Sequence, residues 1–74
     1  MAQFSVYKVY GYNYGKVSEH VGETDCGFKA RCIAIDNMED DIKKFGEEAK
    51  NWYYEIVDYK DGNDSAIAFS DVNV

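Results

Sequence analysis

The sequence predicts an α+β fold: one small domain in the order ββαββ, an antiparallel four-stranded sheet with one helix packed on one face. Three observations carry that expectation. Val, Ile, Tyr and Phe dominate residues 4–12 and 52–60 and recur through 65–72, as suits a pleated surface. Met38, Ile42, Phe45, Ala49 and Trp52 follow one another at spacings of four, three, four and three, which at about 100° per residue is one apolar stripe. Seventy-four residues can bury only one small core, so residues 1–74 form a single domain.

The first segment, Phe4 to Tyr12, is a strand with Phe4, Val6 and Tyr10 on one face and Tyr7 and Val9 on the other. Asn13 to Gly27 is punctuated by Asn13, Gly15, Gly22 and Gly27 and poor in apolar residues. It reads as a long loop with a short strand around Lys16 to His20, and loops of that length are often functional. Phe28 to Ile35 reads as a second strand, with Phe28, Ala30, Cys32 and Ala34 on one face. Asp36-Asn37 then supplies a helix cap, and Glu39, Asp40 and Asp41 would sit on the positive end of the helix dipole. The helix spans Asn37 to Lys50, with Glu39–Lys43 and Asp40–Lys44 at i,i+4 on its wet side. Gly46 beside the stripe costs up to about 1 kcal/mol relative to alanine, which a close approach to a strand would justify.

Trp52 to Lys60 is the third strand, with Tyr54 and Ile56 alternating against Tyr53, Glu55, Val57 and Tyr59. Asp61-Gly62-Asn63-Asp64 is a hairpin turn, and Ser65 to Val72 is the last strand, Ile67 and Phe69 inward. One helix covers one face of such a sheet. The other face should carry Tyr7, Val9, Tyr53, Val57 and Tyr59 among charged neighbours, a large aromatic surface for a soluble monomer.

Composition narrows the function. Fourteen acidic against eight basic side chains give a net charge of −6, which argues against direct binding of nucleic acid phosphates. Apolar runs are too short for a membrane span, and Met1-Ala2-Gln3-Phe4 does not open an export signal. Two cysteines without such a signal point to reduced thiols in a cytoplasm. Glu19-His20-Val21-Gly22-Glu23-Thr24-Asp25-Cys26 gathers the single histidine and a cysteine. It has neither the ligand repetition of a zinc site nor a third group to orient a Cys–His nucleophile. Asp58 to Asp64 fails the calcium-loop spacing, because Lys60 and Gly62 fall where ligands are needed. No catalytic residue, metal or cofactor is expected.

What remains is a binding protein. The candidate partner-binding residues are Asp36, Glu39, Asp40 and Asp41 at the expected helix start, and Glu19, Glu23 and Asp25 in the expected loop. Tyr7, Tyr12, Tyr14, Tyr53 and Tyr59 join them as rigid aromatic anchors. Carboxylates in that density can meet the Lys and Arg side chains that would otherwise meet phosphates.

The small size, ββαββ order, acidity, absence of a catalytic motif and tyrosine-rich surface together resemble small phage-encoded host-takeover proteins, the anti-CRISPR proteins among them. The resemblance covers the whole chain at the level of architecture and charge. Cys32-Ile33-Ala34-Ile35-Asp36-Asn37-Met38-Glu39 resembles a strand-to-helix junction of such proteins. No family position is carried over residue by residue. The resemblance implies a non-enzymatic inhibitor in the cytoplasm of an infected bacterial host. It would block a basic nucleic-acid-binding surface of a defence protein such as a CRISPR effector. The competing expectation is a structural or regulatory homo-oligomer, joined through the tyrosine face or through Phe4–Tyr12 as an edge strand.

Overall fold

The structure, a computed structural model, describes residues 2–10 and 17–72. Strands β1 (Phe4–Tyr10) and β2 (Val17–Thr24) precede helix α1 (Gly27–Phe45) and a 3-10 helix, Gly46–Asn51. Strands β3 (Tyr53–Asp58) and β4 (Asp64–Ile67) follow, and a single helical turn, α2 (Phe69–Val72), ends the described chain. The sheet runs β2-β1-β3-β4 with every neighbouring pair antiparallel. The fold class and the ββαββ order are as expected.

Several boundaries are not. Residues 17–24, expected to be mostly loop, form an eight-residue edge strand. Its side chains are half-buried at best, so no apolar alternation marks it, and its ladder to β1 is a backbone property. A register shift opposite Val6 and Tyr7 breaks the alternation further. Expected positions Gly11, Tyr12 and Asn13 to Lys16 lie outside the described residues.

Phe28 to Ile35 is helical, not a strand. Its alternating set contains Ala30 and Ala34, which with Met38 form an i, i+4, i+8 line that is fully buried against the sheet. Cys32-Ile33-Ala34-Ile35-Asp36-Asn37-Met38-Glu39 therefore lies within the helix and is no junction. The true start is Gly27, with Cys26 as an extended N-cap and the Thr24 hydroxyl accepting the Cys26 N–H at 3.2 Å. Asp36, Glu39, Asp40 and Asp41 thus stand in mid-helix, and the first turn holds no acid. The last turn holds Lys43 and Lys44, which do complement the dipole.

Helix α1 lies close on the sheet because small residues line the contact. Ala30 and Ala34 face the strands, and a Cβ at Gly22 would come within 3.2 Å of Ile33 Cγ2. Around them Val6, Met38, Ala49, Tyr54, Ile56 and Ile67 complete the core, with Phe4, Val21, Ile42, Trp52 and Phe69 packed at its margin. Both helices and the 3-10 turn pack on this one side of the sheet, and among the described residues no helix covers the other.

The expected helix to Lys50 ends at Phe45. Gly46 adopts φ 61° and ψ −132°, a conformation that L side chains rarely take, and no side chain or strand crowds it. Its role is to turn the chain, not to admit a close strand. Ala49 and Trp52 still reach the core from beyond that break, the Trp52 ring meeting Phe45 edge-on at 5.7 Å. The last strand stops at Ile67, because Asp71 Oδ2 accepts the Ala68 N–H at 2.7 Å and starts a helical turn there. β1 is an interior strand, so Phe4–Tyr12 cannot serve as a pairing edge; the edges are β2 and β4.

Gly46→Ala forces a side chain into that left-handed bend and destabilises the fold by roughly 1–3 kcal/mol. Denaturant unfolding checks it against Glu48→Ala, which changes an exposed residue nearby and shifts stability by less than about 0.5 kcal/mol.

Candidate functional site

The pleat sorts the strand residues into two sets. Phe4, Val6 and Lys8 of β1 pair across the ladder with Asp58, Ile56 and Tyr54 of β3 and face the helix. Ser5, Tyr7 and Val9 pair with Val57, Glu55 and Tyr53 and face the opposite way. The edge strands extend that second face with Glu23, His20 and Ser18 from β2 and with Ala66 and Asp64 from β4. Tyr7, Val9, Tyr53, Val57 and Tyr59 thus share the open face, as expected.

Tyr7 stands at its centre. Its ring meets His20 edge-on at 5.3 Å, and its hydroxyl lies 2.9 Å from that of Tyr59 in the turn after β3. The Tyr59 hydrogen bond raises the Tyr7 phenol above its usual range, with burial adding to the shift. Tyr59 moves the other way, held below that range by hydrogen bonds with Ser5 and Tyr7. Ser5 is 3% exposed, the buried floor of this hydroxyl group. Tyr59 itself is 52% exposed and ready for contact. Its position is set by the hairpin: the Tyr59 N–H reaches the Gln3 carbonyl at 2.9 Å, and the Gly62 N–H reaches the Asp58 carbonyl at 2.8 Å. Some burial acts upward on the Asp58 carboxyl, yet hydrogen bonds from Gln3, Asp61 and Lys60 hold it below the usual carboxylate range.

The charges divide in a way the sequence did not disclose. Helix α1 holds Lys29, Arg31, Lys43 and Lys44 against Asp36, Glu39, Asp40 and Asp41, so it is neutral as a unit. The whole excess of −6 lies outside it. The strands present Glu23, Glu55 and Asp64 on the open face, where they place no Lys or Arg.

The expected site residues therefore separate. Tyr7, Tyr53, Tyr59 and Glu23 come together. Asp25 sits beyond the end of β2 and accepts the Gln3 N–H at 3.0 Å. Asp36, Glu39 and Asp40 are exposed on α1, on the other layer. Glu19 lies opposite Lys8 on the helix-covered side. Tyr12 and Tyr14 fall outside the described residues. Residues missed at first are Ser5, His20, Glu55 and Asp64; the irregular register with β2 brings His20 to this face, and the β3–β4 pairing puts Asp64 diagonal to Glu55.

Asp41 has a different role from its neighbours. One oxygen, Oδ2, accepts the Trp52 indole N–H at 2.8 Å and the Tyr54 hydroxyl, and lies 3.6 Å from Lys8 Nζ. Lys8 Nζ is 4.6 Å from the Trp52 ring centroid and 5.8 Å from that of Tyr10. Helix, central strand and β3 are joined at this point, and the Asp41 side chain is only 13% exposed. It is a structural tie, not a partner-facing carboxylate.

The segment from Glu19 to Cys26 does not assemble a site. His20 is on the open face, while Cys26 caps the helix, where the N–H groups of Lys29 and Phe28 hold its thiol below the ordinary range. No group of three or more metal-ligating side chains stands together among the described residues. Comparison of the chain with protein families, with curated proteins and with solved structures finds no match.

Two outcomes follow from the tie. Asp41→Ala leaves the Tyr54 hydroxyl and Lys8 without their acceptor and costs roughly 2–4 kcal/mol in urea unfolding, whereas Asp40→Asn changes stability by less than about 0.5 kcal/mol. Burial, with the Asp41 contact second, raises the Tyr54 phenol well above its ordinary value, so the folded chain holds that proton more tightly than the unfolded chain. The stability this contributes is complete below the unfolded value of about 10 and is lost as pH rises beyond it. Tyr54→Phe should flatten the fall in stability between neutral and strongly alkaline pH; an unchanged slope would place the alkaline sensitivity elsewhere.

Proposed function

We propose that this chain is a non-enzymatic acidic binding protein whose contact surface is the open sheet face. Its partner is a protein with a basic, nucleic-acid-handling surface, which the chain covers and so inhibits. A host defence protein such as a CRISPR effector is the partner that the resemblance to anti-CRISPR proteins implies.

The observation that carries this reading is the partition of charge. The helix is neutral, while the aromatic face bears Glu23, Glu55 and Asp64 and no strand cation. Tyr7, Tyr53 and Tyr59 supply large contact area with few rotamers to freeze, and the carboxylates steer a basic partner toward them. The contact expected at Asp36, Glu39 and Asp40 moves off the helix. Self-association through the same face remains the competing reading, but a two-fold copy would bring the same acidic, strand-cation-free face against itself.

The test is retention of a nucleic-acid-binding protein from a bacterial lysate by the tagged chain, with three forms compared. The wild type should retain it at low salt and release it to high salt or to added nucleic acid. Glu23→Gln/Glu55→Gln/Asp64→Asn should lose it, and Asp36→Asn/Glu39→Gln/Asp40→Asn should keep it. The opposite order of the two triple variants overturns the assignment to the sheet face. A wild-type chain that sediments as a stable dimer with this face buried would replace it with the self-associating reading.

A further inference from the structure

The open face ends at the edge strand β4. β4 contributes only Ala66 and Asp64 to it, and Ala66 lies opposite Glu55 in the ladder. A groove of about 450 Å³ lies at that edge, bordered by Tyr53, Glu55, Asp64 and Ala66 from the open face and by Lys50 and Asp71 from the helix-covered side. Glu55 pairs with Ala66 and Val57 with Asp64, so the Glu55 and Asp64 carboxylates are diagonal neighbours on one face. Asp71 also lines the groove, with Oδ2 engaged by the Ala68 N–H. The one cation at the rim, Lys50, is held by Glu47 at 3.6 Å and lies 5.2 Å from the Phe69 ring centroid.

We propose that this groove is an arginine pocket: it takes the side chain of one arginine of the partner's basic surface, the guanidinium stacking on Tyr53 and bridging Glu55 and Asp64. This rests on the reading of the open face as the contact surface and names its anchor. Charge complementarity decides the occupant. An aromatic wall with two adjacent carboxylates favours a cation, and the small Ala66 side chain between them admits a flat one. Guanidinium fits better than ammonium, because its planar fork engages carboxylates in pairs, stacks on a ring, and gives up its hydration more readily. A second copy of this chain is a poor occupant, since the face it would dock with carries carboxylates and no strand cation.

The pocket is tested with three capped tripeptides, glycine-X-glycine, where X is arginine, lysine or citrulline, titrated into the 15N-labelled full chain. The arginine peptide should give saturable shifts at the amides of Tyr53, Glu55 and Ala66, the lysine peptide several-fold weaker binding, and the uncharged citrulline peptide no saturable shift. Ala66→Leu fills the groove without changing charge, at an exposed position where a larger side chain is tolerated, and should abolish the arginine response while leaving the thermal midpoint intact. Equal responses to arginine and citrulline, no response at all, or an undiminished response in Ala66→Leu would each overturn the pocket. In the lysate experiment, a partner retained by Ala66→Leu but lost by Tyr7→Ala/Tyr59→Ala overturns the pocket and leaves the open-face reading standing. A wild-type chain that retains no partner overturns that reading, and the peptide titration still decides the pocket.

Discussion

A nineteen-residue helix is about 28 Å long and, with its side chains, about 10 Å wide, which is enough to shield one side of a small four-stranded sheet and no more. The described architecture works within that constraint. Ala30 and Ala34 bring the helix axis close, Gly22 gives Ile33 room over the edge strand, and Gly46 ends the helix so that Ala49 and Trp52 can close the core from one end. With both helices and the 3-10 turn on one side, the residues of opposite pleat parity have no helix to bury them. Tyrosine is well matched to such a place, because its ring packs against neighbours while its hydroxyl stays hydrated or bonds to another, as Tyr7 and Tyr59 do.

The same constraint gives neighbouring carboxylates different roles. Asp40 and Asp41 are adjacent in the chain, yet one step of helical rotation puts Asp40 in solvent and Asp41 over the sheet, where Trp52, Tyr54 and Lys8 converge on it. On α1, Asp36, Glu39, Asp40 and Asp41 are offset by Lys29, Arg31, Lys43 and Lys44, so the helix that holds the dense acidic stretch of the sequence carries no net charge. Acidity counted along the chain pointed to the helix. Acidity counted by surface points to the sheet.

Those elements whose side chains alternate in hydrophobicity were legible from the residues alone: β1, β3 and the hairpin through Gly62, and with them the membership of the open face. The helix was legible only in its second half. In residues 28–34 the set Phe28, Ala30, Cys32 and Ala34 satisfies a period of two, while Ala30, Ala34 and Met38 satisfy a helical repeat, and packing on the sheet decides for the helix. The caps at Asp36-Asn37 were plausible chemistry without a helix end to act on, and the real N-cap, Cys26, is not one of the Ser, Thr, Asp or Asn residues that announce a helix start. β2 was legible only as a short strand around Lys16 to His20, because its ladder to β1 is a backbone property and only Val21 and Gly22 pack toward the helix. The Asp41 tie was equally hidden, since its members lie eleven or more residues apart, or across the sheet.

In the proposed complex the open sheet face, not α1, meets the partner. Carboxylate and tyrosine footprinting by mass spectrometry, with and without the captured partner, reads this residue by residue. Tyr7, Tyr53, Tyr59, Glu23 and Glu55 should be protected in the complex while Asp36, Glu39 and Asp40 label as in the isolated chain. Protection of Asp36, Glu39 and Asp40, with the tyrosines labelled as before, would contradict that contact.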